Sequence, residues 1–266
     1  MTDRDPFRAV SRDDGDDDRT LLWDPGPRVQ PAPPPVAAKP PRKKRGIGFR
    51  IARYALIAFA GYYLFCVVLL VAYRFVNPPT TGVQMQRRVE SWFSSDEYQK
   101  RRSFVALKDL PRHVPRAVIA AEDGRFREHH GYDWEEMTRA TGEARSGTRF
   151  RGASTLTQQL VKNLFGCACR NPIRKVYDLT LTPAAELILG KDRILELYLN
   201  QVEWGRGGVF GIDAGAREHY DRGARRLTRT QAAGMAALLP NPRQRTPRNT
   251  PQYRADILRR MSHRGW

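Results

Sequence analysis

"RGASTLTQQLVKNLF", Arg151–Phe165, decides the fold class. At about 100° per residue, Leu156, Leu160, Val161, Leu164 and Phe165 fall on one side of a helix. Thr155, Gln158, Gln159, Lys162 and Asn163 fall on the other. That second side offers amides, a hydroxyl and one cation, with no carboxylate to neutralise the cation. It is either an ordinary solvated face or one suited to an anionic or sugar-like ligand.

The same helical grammar recurs on both sides of this stretch. "VPRAVIAAED" (114–123) reads as a short apolar helix. "YDWEEMTRATGEA" opens with Asp133 and has Glu136 three residues later, a capping-box arrangement. "KDRILELYLNQ" and "LTRTQAAGMAALLP" continue the series, the latter with Thr228 and Gln231 as another box and Pro240 as a stop. Strand signals are scarce, and there is no two-residue hairpin signal, internal repeat or glycine-rich phosphate loop. The expectation is one mainly α-helical domain over residues 77–266.

Upstream, "YALIAFAGYYLFCVVLLVAY" (54–73) carries no formal charge. About 20 such residues cross a hydrocarbon core of about 30 Å. Tyrosines at both ends suit the interfaces, and the run begins too deep in the chain for a signal peptide. We read residues 50–76 as a transmembrane helix. "KPPRKKRGIGFRIAR" precedes it, and basic flanks favour the cytoplasm. The expected topology is therefore N-terminus inside, with the C-terminal domain on the extracytoplasmic, periplasmic side of the plasma (inner) membrane. Residues 1–49, with "RDDGDDDR" and a proline-rich run, cannot bury a core and read as a disordered cytoplasmic tail.

The chain carries 46 Lys and Arg against 28 Asp and Glu, a formal charge of +18. This fits a polyanionic partner (nucleic acid, anionic lipid or a diphosphate) or simply an arginine-rich composition. Export of the domain argues against nucleic acid. Cys66 lies in the span as a small apolar residue, whereas Cys167 and Cys169 are too few and too close for a metal site of known spacing.

"AVIAAEDGRFREHHGYD" (117–133) sets a carboxylate at an apolar helix end. Burial there would raise the pKa of Glu122 toward the range of a general base. Asp123 would be a helix-end residue, Phe126 would pin the following loop, and Gly131 permits a turn. His129 and His130 are adjacent, not at the i,i+4 spacing of a helical metal site, so core or hydrogen-bonding roles fit them better. In "PIRKVYDLTLTPAAEL", Arg174, Lys175 and Asp178 can share one helix face. They form either a surface salt bridge or a carboxylate poised beside two cations for a diphosphate.

Together these segments resemble the peptidoglycan glycosyltransferases. "EDGRFREHHG" is similar to their E-D-x-x-F-x-x-H-x-G signature, and "RGASTLTQQLVKNLF" to their G-[GA]-S-T-[LI]-[TS]-Q-Q-x-x-K-N signature. "IRKVYD" stands where R-K-x-x-E belongs, and "RILELYLNQVEWGRGG" through "LLPNP" resembles the remaining signatures, in the same order and spacing. The resemblance runs from about residue 78 to the C-terminus, with no transpeptidase domain following. It implies a lysozyme-like helical domain behind one membrane helix. It also implies a reaction: lipid II, bound together with the nascent glycan strand, is polymerised through β-1,4 bonds as undecaprenyl diphosphate leaves.

By the same resemblance, Glu122 is the catalytic base and Asp178 the second catalytic acidic position. Asp123, Phe126, His129, Ser154, Thr155, Gln158, Gln159, Lys162, Asn163, Arg174, Lys175 and Asn200 would bind substrate, with Lys162, Arg174 and Lys175 on the diphosphate. No dedicated metal cage is read, and a divalent cation such as magnesium stays open as a cofactor, as do partners among other cell-wall synthesis proteins. Two positions depart from the pattern. Asp178 replaces the family's Glu, and Pro183 should kink or break its helix or start a new segment. They leave room for a weakly active scaffold, and the fold leaves room for a lytic hydrolase.

Overall fold

The computed structural model describes residues 46–94, 97–146, 154–166 and 172–266, and of residues 144, 145 and 172–174 the backbone alone. The tail expected at 1–49 falls almost wholly outside the described residues, as do Cys167 and Cys169. Ten α-helices dominate the described residues, and residues 47–266 form one compact unit.

Helix α1, Ile47–Phe75, is long and apolar enough to cross a membrane, and only Cys66 and Leu70 are buried along it. A helix that is apolar all round and left mostly bare suits lipid on its free sides. One side packs on α6, Pro172–Leu189. The Tyr177 hydroxyl donates to the Phe59 carbonyl at 2.6 Å, and the Tyr63 hydroxyl to that of Thr180 at 3.4 Å. Arg74 caps the far end by donating to the Ile188 carbonyl at 2.5 Å.

Pro183 lies inside α6 without ending it, which corrects the break expected from sequence. Proline cannot bond the carbonyl four residues back, which here belongs to Leu179. The Tyr132 hydroxyl donates to that carbonyl instead, so the freed acceptor is satisfied from outside the helix.

Helix α2, Gly82–Ser91, leads to the strand β1, Arg101–Arg102, and then to α3, His113–Glu122, and α4, Trp134–Arg145. Helix α5, Leu156–Phe165, packs against α2, α6 and α7, the last spanning Lys191–Gln201. A hairpin follows, with β2 at Glu203–Gly205 and β3 at Val209–Phe210; β3 also pairs in parallel with β1. This small sheet was not foreseen, because its turn, Arg206-Gly207-Gly208, lacks a two-residue hairpin signature. Gly207 and Gly208 adopt φ of 69° and 92°, and Gly208 packs directly on the Gln99 carbonyl. The chain closes with α8, Ile212–Tyr220, α9, Arg229–Ala236, and α10, Pro251–His263.

The core assembles as the periodicities demand. Leu156, Leu160, Val161 and Leu164 of α5 are buried, alongside Trp204, Tyr198, Phe126 and Phe210. Each fully buried aliphatic side chain contributes about 1.5–3 kcal/mol. The polar side of α5 is not an open face, however. Thr155, Thr157 and Gln158 are buried too. Thr157 donates to Glu186 at 2.5 Å, and Glu186 also takes Lys191 at 2.8 Å.

Candidate active site

Glu122 ends α3, where the helix leaves carbonyls without internal partners. Two side chains of α10 take them. Tyr253 donates its hydroxyl to the Ala121 carbonyl at 3.2 Å, and Arg260 donates to that of Ala120 at 3.2 Å. The residue before Asp123 is thereby fixed from the C-terminal helix.

The Glu122 carboxylate is partly buried and accepts a bond from the Gln159 amide at 2.9 Å. The Gln159 carbonyl oxygen in turn accepts the Tyr198 hydroxyl at 2.8 Å. Tyr198 is buried, which pushes its phenol well above the ordinary value, so it stays protonated and can only donate here. That fixes which end of the Gln159 amide faces Glu122. Burial raises the Glu122 pKa; the Gln159 bond and the charges of Arg245 and Arg260 oppose the shift, and Asp123 adds to it. The result is a carboxylate that takes up a proton more readily than a surface Glu, which is what a general base requires.

Asp123 does a different task. Its Oδ2 accepts the backbone N–H of Leu156, the first residue of α5, at 2.9 Å, and its Oδ1 lies 2.9 Å from His129 Nε2. His129 Nδ1 accepts the Gly131 N–H at 3.2 Å, so the ring proton sits on Nε2 and is donated to Asp123. The Gly131 carbonyl accepts the Thr155 hydroxyl at 2.7 Å. Thr155 and Gln158 close a capping box at the start of α5. Gly131 has φ of 92°, and a Cβ there would lie 2.7 Å from the Thr182 side chain and 3.2 Å from that of Glu186, so any side chain would be both strained and crowded. Phe126 is wholly buried beneath this loop, with Lys191 over its ring at 4.5 Å.

Asp123, His129 and Asp133 bring ligand atoms within 4.8 Å of one another. Both nitrogens of His129 are engaged, Asp123 is bonded to Leu156, and Asp133 Oδ1 caps α4 through the Glu136 N–H at 2.9 Å. This set does not fit a metal as it stands.

The remaining residues divide. Ser154, Lys162 and Asn163 are partly buried, and Asn163 donates back to the Gln159 carbonyl at 2.7 Å. Lys175 is exposed on α6 and Asp178 is buried in it. The Arg174 side chain lies outside the described residues. Asn200 stands apart from a substrate role: it is fully buried, bonding the Val105 N–H and carbonyl, both at 2.9 Å, and the Glu196 carbonyl at 2.8 Å. It holds the strand-side segment to α7. Sequence reasoning missed Tyr198, Arg245, Tyr253 and Arg260. Tyr253 and Arg260, seven apart and so on one face of α10, were the available signal.

The sequence profile of the family described as "Transglycosylase" matches residues 87–263. A biosynthetic peptidoglycan transglycosylase of Ectopseudomonas mendocina is 46% identical over 176 residues, covering 66% of this chain and 72% of the relative. Proteins of the same name from Shewanella frigidimarina and Chromohalobacter salexigens are 42% and 41% identical, over 180 and 197 residues. These cover 68% and 74% of this chain and 75% and 82% of the relatives. With its helical domain, its apolar leading helix and this extent of match, the chain belongs to the transglycosylase family.

Proposed function

We propose that this protein is a membrane-anchored peptidoglycan glycosyltransferase that polymerises lipid II. The observation that carries this is the Glu122–Gln159–Tyr198 chain: a carboxylate of raised pKa held against the polar side of α5. In this reading, Glu122 takes the proton from the 4-hydroxyl of the acceptor sugar as that oxygen attacks C1 of the donor. The C1–oxygen bond to the diphosphate breaks with inversion, and undecaprenyl diphosphate leaves with the bonding electrons. Glu122 then returns its proton to solvent. Lys162, Arg174 and Lys175 would neutralise the leaving charge, and Asp178 would hold that cationic group in register. Helix α1 would anchor the domain with the N-terminus in the cytoplasm and the catalytic face outside, and its docking on α6 supports a donor site held close to the membrane.

The test is incubation of the purified full chain with labelled lipid II and, separately, with preformed wall, each followed by product sizing. Polymer is the expected result. Fragments released from preformed wall, with lipid II untouched, would support a hydrolase, and no turnover of either would support a scaffold.

A further inference from the structure

A cavity of about 490 Å³ lies between the segment after β1, the front of α3, the loop after Glu122, Leu195 of α7 and the residues following α10. Its volume is in the range of roughly 300–1,000 Å³ typical of small-molecule sites. Neither Glu122 nor any other residue placed in the active site lines it.

Its charge is unbalanced. Lys108, Arg112, Arg116, Arg127 and Arg264 line it, against one acidic side chain, Glu128, while the main-chain oxygen of Trp266 is taken by Arg229 at 2.7 Å. Glu128 is taken by Arg125 at 3.1 Å, and Arg127 is paired with Asp192 at 2.7 Å. Asp109, the acid beside Lys108, is taken by Arg225 at 2.5 Å. Lys108, Arg112, Arg116 and Arg264 thus have no carboxylate partner among the described residues. Arg116 and Arg264 instead lie over the Trp266 ring, at 5.8 and 5.4 Å from its centre. Between these cations the wall is apolar: Leu110, Pro115, Ile119 and Leu195.

Four like charges around one concavity repel, unless an anion joins them. The geometry points to a binding site for an organic phosphate, its head among Lys108, Arg112, Arg116 and Arg264 and its carbon part on the apolar wall and Trp266. A phosphate monoester suits it better than a carboxylate, because it brings about −1.5 to −2 charges and three acceptor oxygens. Arginine forks bind such oxygens in pairs. The site stands independently of the proposed function.

The test is calorimetric titration of the full chain in neutral detergent with hexyl phosphate and with inorganic phosphate. The parent should bind hexyl phosphate more tightly than inorganic phosphate. Lys108→Glu combined with Arg112→Glu, both exposed, should weaken hexyl phosphate at least about tenfold with unchanged melting. Lys162→Ala, on the proposed donor site, should retain binding at the cavity. Trp266→Ala should weaken the hexyl ester more than inorganic phosphate. Repeating the titration in nanodiscs separates two sources of the ligand. Competition in discs containing phosphatidic acid, whose head is a monoester, marks a lipid head as occupant, and equal binding in these and in phosphatidylcholine discs marks a soluble ester. A parent that binds no hexyl phosphate, or charge-reversed protein that binds it as well as the parent, overturns the site.

Discussion

Glu122 and Asp123 are neighbours in one motif, yet their surroundings give them opposite work. Asp123 faces a closed set of donors: the Leu156 N–H, the His129 ring and, through His129 and Gly131, the capped start of α5. Each polar atom in that chain has a structural partner. Glu122 has one amide partner, lies near two arginines and is raised in pKa by burial. A satisfied carboxylate stabilises a fold, whereas a carboxylate left short of partners in a desolvated place is ready for a proton.

Substitutions can break this contrast, and Glu122→Gln should have the largest effect. It keeps the shape but cannot accept the 4-hydroxyl proton. General-base catalysis contributes about 100- to 10,000-fold, so the initial rate of lipid II consumption should fall at least about 100-fold. Stability should not fall with it. The folded-state pKa of Glu122 lies above its unfolded value, so its contribution is favourable at low pH and is lost as pH rises through the folded pKa. At neutral pH the buried charge is a cost, and melting of Glu122→Gln should match or exceed the parent. A well-folded variant polymerising at the parent rate would remove Glu122 as the base.

Asp123→Ala should do the reverse. It leaves two buried donors, the Leu156 N–H and His129 Nε2–H, without acceptors. The expected loss is on the order of 2–4 kcal/mol, read by chemical or thermal denaturation. Unchanged melting would show that the α5 start does not depend on this carboxylate. Tyr198→Phe sits between the two cases. Removing its hydroxyl frees the Gln159 amide to turn its oxygen toward Glu122, and the rate should drop about tenfold, with about 1 kcal/mol of stability lost. A parent-like rate for Tyr198→Phe would mean that Gln159 is oriented by something else. Smallest of all should be Asp178→Glu, which restores the carboxylate length of the R-K-x-x-E signature, so activity should hold or rise. Inactivity of both the parent and this variant would favour the scaffold.

Much of this was legible in the sequence because the helices are amphipathic and capped: the buried stripe of α5, the Thr228–Gln231 box and the apolar α1 all lie where periodicity places them. The raised pKa of a carboxylate at the end of α3 was legible from its apolar approach. What escaped were roles decided by distant neighbours. Asn200 looks like any polar motif residue until Val105 and Glu196 are seen to engage both ends of its amide. Pro183 looks like a breaker until Tyr132 supplies a donor to Leu179 from another element. The glycine turn of the hairpin and the grip of Tyr253 and Arg260 on α3 depend on contacts across the fold, which local pattern does not encode.

The raised proton affinity of Glu122 is most directly tested by the pH dependence of kcat/KM for lipid II, measured for the parent and for Glu122→Gln. A base works only when deprotonated, so the parent rate should fall on the acid side through an apparent pKa above the ordinary Glu value of about 4.3. That limb should be absent from whatever activity the variant retains. An acid limb at the ordinary carboxylate value, or one that survives in Glu122→Gln, would contradict the assignment.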